Sequence, residues 1–295
     1  LASQPHNASR SQNKPVPELP EVETVCRVMR RVLLNHKIVD VEVVPDTIVF
    51  GNTPPEAIVD ALKGRTVTEV GRKGKTWWLR TGEPPDVVGH LGMAGWIRET
   101  NAPTVRLKEH GNAPLDDEAG RPRFLKLLLQ TDEGRGIAFT DGRRLARLRL
   151  SPSVETDPKL KELGPDAFDD LPKAQAFGDL FKKRSAPIKA LLMDQAILSG
   201  VGNWLADECL YHARIAPNRA ASSLSPEEYV QLRKKLRYVL ETAVEAGADD
   251  SKYPTDWMFH HRWGGGKGAA KIGRHEIVRE EVGGRTTAWV PALQK

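Results

Sequence analysis

The residues with the most chemistry in this chain stand together in Pro17-Glu18-Leu19-Pro20-Glu21-Val22-Glu23. Pro20 suits a first helical position, because its missing N–H would have no partner there. Glu21 and Glu23 suit a first turn, where the helix dipole favours negative charge. Pro17 and Glu18 are the unusual part: they lead into the open N-terminal end of a helix, beside its unpaired N–H groups. The stretch reads either as a rigid lead-in turn with dipole-friendly acids or as a reactive group set at a helix mouth.

Three further clusters carry functional residue types. Arg72-Lys73-Gly74-Lys75 joins two apolar runs and reads as a solvated basic turn or as a phosphate clamp on a rigid loop. Gly89-His90-Leu91-Gly92-Met93-Ala94-Gly95 puts a methionine at the tip of a glycine-rich turn. Methionine is ordinarily core filler, but on an exposed turn it suits an apolar wedge. Lys182-Lys183-Arg184 and Lys189 form a basic patch, a pattern that is usually a solvated face. Here the patch adjoins Gly200-Val201-Gly202-Asn203, whose glycines bare backbone N–H groups at a helix start, where phosphate binds readily.

These residues need a scaffold. Val22, Val25, Cys26, Met29, Val32 and Leu33 recur at spacings of three and four and predict one buried helix stripe. Residues 38–44, 67–70, 76–80, 87–91, 96–98, 123–131, 137–140 and 145–150 read as strands, with a short helix near 55–62 and a long polar loop at 100–122. Many short strands with turn punctuation predict a β-sandwich with flanking helices. Residues 153–172, rich in Pro, Gly and acids, read as a linker. Beyond it, 187–194 and 203–213 are two helices joined by a tight turn. Ser225-Pro226-Glu227-Glu228 is a capping box with Pro at the first helical position, opening a long helix. Residues 271–291 read as a β-hairpin turning at Gly283-Gly284. The expected fold class is therefore α+β: a polar stretch at 1–16, a sandwich domain at 17–152, a linker at 153–172, a helical domain at 173–250 and a hairpin segment at 251–295.

The 295 residues support two domains. No apolar run approaches the roughly 20 residues of a membrane span, and no secretory leader is expected. That points to the nucleus of a eukaryote or the cytoplasm and nucleoid of a bacterium. Cys26 and Cys209 both lie on apolar helix faces and read as reduced packing residues, excluding a disulfide framework. A net charge of +5 with a pI near 9.1 is compatible with a nucleic-acid partner.

The opening heptad resembles the amino-terminal signature of the formamidopyrimidine-DNA glycosylase (Fpg/Nei) family. The resemblance implies that the Pro17 nitrogen attacks C1′ of a damaged nucleotide, with Glu18 as proton donor and Glu21 steadying the charge that develops at the sugar. A free α-amine has a pKa of about 7.7–8.0 and is partly neutral near pH 7. Lys75 matches the family lysine credited with DNA contact and proton transfer in β-elimination. Met93 matches a residue that fills the space left by a flipped nucleotide, and Arg143 matches its arginine partner. Leu145 stands where many relatives have Phe; it can wedge but not stack. The run 187–208 resembles the helix–two-turn–helix DNA-binding motif, which maps Asn203 onto a phosphate contact and Lys183 and Lys189 onto DNA-contacting lysines. His110 maps onto a DNA-contacting histidine.

Gly283-Gly284-Arg285-Thr286-Thr287-Ala288-Trp289-Val290-Pro291 resembles the zincless finger of the plant and fungal branch, as does Trp257-Met258-Phe259-His260. Arg285 then matches the arginine assigned to δ-elimination. No Cys follows Cys209, so a four-thiolate zinc site is impossible. No metal or diffusible cofactor is implied. The resemblance implies a monomeric glycosylase and abasic-site lyase acting on double-stranded DNA with oxidised bases or abasic sites. The short insert between Ala248 and Trp257 favours formamidopyrimidines over 8-oxoguanine. In this sequence Pro17 follows Val16 and is an amide. Residues 1–16 are then a scar, upstream frame joined to a GTG start, or an extension. The alternatives are a non-catalytic relative that binds damaged DNA with Pro17 blocked, or a scaffolding protein, since the two-helix motif also occurs in ribosomal and topoisomerase proteins.

Overall fold

The computed structural model describes residues 16–103, 113–262 and 270–295. Helix α1 (Leu19–Leu33) begins at Glu18, its N-cap, with Pro20 in the first turn. The Glu21 carboxylate accepts the Glu18 N–H at 3.0 Å, so one orphan donor of the helix end is satisfied from within. The predicted stripe of Val22, Val25, Cys26, Met29, Val32 and Leu33 is buried throughout. Each such side chain contributes roughly 1.5–3 kcal/mol by leaving water.

Strands β1 (Ile38–Val43), β2 (Glu69–Lys73), β3 (Thr76–Arg80), β4 (Asp86–His90), β5 (Trp96–Glu99), β6 (Leu125–Thr131), β7 (Gly136–Thr140) and β8 (Arg147–Ser151) make two antiparallel four-stranded sheets. Their orders are β1-β6-β7-β5 and β2-β3-β4-β8. Burial alternates along β6, as a strand with one face on a core requires. Helix α2 (Pro55–Leu62) packs on β1 and β4, and α1 touches strands of both sheets. Two glycines let tryptophans lie flat on neighbouring strands. A Cβ on Gly71 would fall 2.1 Å from the Trp78 ring, and one on Gly89 would fall 2.1 Å from the Trp77 ring.

Residues 153–172 follow the last strand of the sandwich and are tied down to it. They include the short helix α3 (Pro158–Lys161), whose N-cap Asp157 receives the Arg149 guanidinium at 2.6 and 3.1 Å. Asp166 and Asp169 meet Arg72 of β2 at 2.7 and 2.5 Å, and Arg72 also holds Glu23 of α1 at 3.2 Å. Arg72 is buried, so this is a charged rivet between strand, helix and linker. Breaking a buried set of this kind is far more costly than its net contribution to stability.

The second domain contains α4 (Ala174–Asp179), α5 (Ile188–Leu192), α6 (Asn203–Ala213) and α7 (Pro226–Glu245). They share a core that includes Trp204, Leu232, Leu236, Trp257 and Phe259. The capping box at Ser225 and Glu228 is present, and α6 ends on Arg214 in the left-handed region. A two-residue pairing of β9 (Lys271–Ile272) with β10 (His275–Glu276) precedes the hairpin of β11 (Val278–Val282) and β12 (Arg285–Trp289). Its turn is Gly283-Gly284, both at positive φ as a tight hairpin needs. A small apolar cluster of Tyr211, Met258, Ile272, Ile277, Ala288 and Val290 seats the hairpin on α6. Cys26 and Cys209 are buried and unbridged, and burial pushes the Cys26 thiol up to about 12.

Candidate active site and nucleic-acid interface

The site begins with a carboxyl that belongs to one domain and caps a helix of the other. Glu18 is only 3% exposed. Its two oxygens accept the backbone N–H groups of Trp204 at 2.9 Å and Leu205 at 3.1 Å, the first turn of α6. The approach is close because residue 202 has no side chain: a Cβ there would lie 2.2 Å from the Glu18 carboxyl carbon. The Leu19 N–H donates to the Gly200 carbonyl at 3.2 Å beside it. Pro17 is buried at the same seam.

Burial dominates the electrostatics. It raises the Glu18 pKa against the opposing pull of Lys75 and the two N–H donors. It pushes Glu21 up to about 8, with the neighbouring Glu18 charge adding to the effect. Lys75 donates from Nζ to the Val201 carbonyl at 3.0 Å. Burial lowers its pKa, Arg285 adds to that, and the two glutamates oppose it. The turn carrying Lys75 is fixed by Asp166, which accepts the Gly74 N–H at 2.6 Å. Two acids inclined to hold protons and one amine inclined to release one thus share a largely buried cleft, a grouping suited to proton transfer.

The predicted wedge residues fall together. Met93 is half-buried, and its turn leans on the 141–146 turn: a Cβ on Gly92 would meet the Leu145 carbonyl oxygen at 2.2 Å. Asp141 shapes the second turn by accepting the N–H groups of Arg143 at 2.9 Å and Ala146 at 2.7 Å. Arg143 and Leu145 are left exposed. His90 is a site residue that the sequence reading passed over. Its Nδ1 accepts the Gly92 N–H at 2.9 Å, setting the Met93 turn. Burial, then Lys75, pushes its pKa down to about 4. A histidine between a β-strand and a Gly-rich turn was the available signal.

On the helical side, Asn203 donates from Nδ2 to the Thr286 carbonyl at 3.1 Å, linking the α6 start to the hairpin. Arg285 opens β12 and is exposed, as is Lys183. Lys189 departs from expectation. It is fully buried, with Nζ 2.7 Å from Asp207 and 2.6 Å from the Thr287 hydroxyl. It faces inward because α5 turns it under the hairpin, so it fastens the finger and does not reach a phosphate. Asp207 is the hub of that fastening: it also receives Arg262 at 2.6 Å and the Ala288 N–H at 3.1 Å. His110 lies outside the described residues.

A β-sandwich that presents a Pro-Glu pair and a lysine to the turn of a helix–two-turn–helix module, with a wedge turn on the same side, has the build of a DNA glycosylase. The chain belongs to the formamidopyrimidine-DNA glycosylase family. Residues 16–148 match the formamidopyrimidine-DNA glycosylase N-terminal domain and 163–255 match the family's H2TH domain. A formamidopyrimidine-DNA glycosylase of Arabidopsis thaliana is 38% identical over 280 residues, covering 95% of this chain and 71% of the relative. The crystal structure of the MutM (Fpg) protein from Thermus thermophilus matches with a TM-score of 0.71 at 31% identity, covering 94% of this chain and 98% of that one. Wild-type Lactococcus lactis Fpg in complex with DNA containing an oxidised pyrimidine matches with a TM-score of 0.74 at 26% identity, covering 95% and 100%.

Proposed function

We propose that this chain excises oxidised purines, formamidopyrimidines foremost, from duplex DNA and cleaves the abasic strand that results. The observation that carries the reading is the Glu18 carboxyl, buried at the domain seam one residue after Pro17 and close enough to Lys75 to feel its charge. With the Val16–Pro17 bond absent, the Pro17 nitrogen is a secondary amine. It attacks C1′, and the glycosidic C–N bond breaks with its electron pair leaving on the base, which takes up the proton that the Pro17 nitrogen gives up. Glu18, inclined to stay protonated, supplies a proton to O4′ as the ring opens and a C1′ iminium forms. The iminium acts as an electron sink. Loss of a C2′ proton expels the 3′ phosphate, and δ-elimination then expels the 5′ phosphate. Lys75, with its lowered pKa, is suited to move a proton in these steps, and Arg285 to hold a phosphate. Met93, Arg143 and Leu145 occupy the vacated duplex space, while Lys183 and Asn203 serve the backbone.

The hairpin seated on apolar side chains, with no thiolate beyond Cys209, supports placement in the zincless-finger branch. The Arabidopsis relative is consistent with that placement. A second reading is favoured by one fact: in this sequence Val16 acylates Pro17, and such a form binds damaged DNA without cutting it. Borohydride trapping on abasic-site DNA, read by intact mass, separates the two. The expected adduct carries a protein part that begins at Pro17. An adduct on all 295 residues moves the chemistry to another amine. Binding without an adduct, even from a chain begun at Pro17, overturns the lyase reading.

A further inference from the structure

Phe124 is the one exposed phenylalanine in the described residues, at 54%. It also carries an unusual backbone: its φ is +59°, a region that bulky side chains rarely adopt. The strain is held in place by the strand that follows. Asp141 donates its N–H to the Phe124 carbonyl at 2.9 Å, and Leu125 pairs with Thr140. The ring is thereby laid against Gly142, where a Cβ would come within 3.1 Å of it. Gly142 belongs to the turn that carries Arg143 and Leu145. The Arg123 guanidinium lies 5.9 Å from the ring centroid, and Arg143 is exposed on the adjoining turn, where its neighbour Arg144 is paired with Asp46.

An aromatic plate held out of the core by a strained backbone, with Arg123 beside it and Arg143 on the next turn, is the combination that stacks a base while the charges take its phosphates. We propose that Phe124 is a base-stacking residue of the DNA interface, its ring receiving a nucleobase beside the Leu145 wedge. The proposal rests on the glycosylase reading above. It also supplies what Leu145 lacks: leucine separates bases but offers no π-face. Phe124 provides one from the turn that leads into β6, and the pair divides between two positions the work that one aromatic residue would do alone.

The test measures binding of the full chain to a duplex with a tetrahydrofuran abasic-site analogue, across a salt series, for wild type, Phe124→Ala, Phe124→Leu and Phe124→Tyr. Removal of one stacked base weakens binding about 5- to 150-fold in the Ala and Leu variants, while Tyr stays within about twofold of wild type. The slope of log K against log salt is the same in all four, because no phosphate contact is lost. Phe124→Leu keeps apolar bulk, so wild-type binding by that variant overturns stacking, as does an altered salt slope. Wild type that fails to prefer the abasic duplex over an undamaged one sinks the glycosylase reading itself. Preference by wild type with unchanged binding by Phe124→Ala sinks only the proposal.

Discussion

Gly202→Ala isolates the Glu18 carboxyl without touching it. Gly202 sits at φ −126° and ψ −157°, an extended conformation open to alanine, so the backbone makes no objection. The whole conflict is with Glu18, since the three atoms nearest the added methyl, at 2.2 to 2.6 Å, all belong to it. The carboxyl must leave the N–H groups of Trp204 and Leu205. Two bonds at about 1.5 kcal/mol each give a cost of about 3 kcal/mol. In a domain of this size that lowers Tm on the order of 10 °C. If the displaced carboxyl is the proton donor, the same cost slows excision about 100-fold. The assay is single-turnover excision of formamidopyrimidine from duplex DNA, beside thermal unfolding, on a chain begun at Pro17. Glu18→Ala supplies the control. With the carboxyl gone the methyl fits, so adding Gly202→Ala to Glu18→Ala costs nothing further, and the cycle shows a coupling of about 3 kcal/mol. Wild-type excision and Tm in Gly202→Ala, or strict additivity in the double variant, would refute the seam as the origin of Glu18's position.

Other perturbations have equally definite outcomes. Glu21 holds its proton to about pH 8 in the folded chain but only to about 4.3 when unfolded, so its contribution is complete below pH 4.3 and fades as pH rises to about 8. Glu21→Gln removes that loss, and urea unfolding at pH 5 and pH 8 should show a smaller difference for the variant than for wild type. Arg72→Met removes the buried cation that Glu23, Asp166 and Asp169 share and should cost about 3–5 kcal/mol by denaturant unfolding. A change under 1 kcal/mol would mean that the rivet is slack. Lys189→Met should destabilise the hairpin but leave the salt slope of DNA binding untouched, since the lysine is buried; a slope reduced by about one would restore it as a phosphate contact.

Local pattern was readable wherever it was local. The α1 stripe, the turn glycines 283 and 284 and the Ser225 capping box each declare themselves within a few residues, and the sandwich strands lie within a residue or two of the reading except β2, which runs on to Lys73 where residue 70 was expected to end it. Pro17, Glu18 and Lys75 were legible as candidates because their types are odd for their positions. Tertiary pairing was not. Asp166 meets Arg72 across 94 residues and Asp207 meets Arg262 across 55, and no spacing rule spans such gaps. Lys189 was misread for the same reason: a lysine in a basic run looks solvated until a hairpin 98 residues away closes over it. The acids of 153–172 likewise read only as linker, because the arginines that bind them lie elsewhere in the chain. His90 was hidden by the methionine beside it.

The Glu18 cap makes the acid's reactivity depend on assembly. Its partners lie 186 and 187 residues downstream, so during synthesis the sandwich segment emerges long before α6 exists. Until then the carboxyl is in water, ionised at neutral pH, and has no proton to give. Docking of the helical half buries the carboxyl, and that burial is what raises its pKa. The amino-terminal half alone therefore holds Pro17, Glu18 and Lys75 without the helix end that buries and hydrogen-bonds the Glu18 carboxyl.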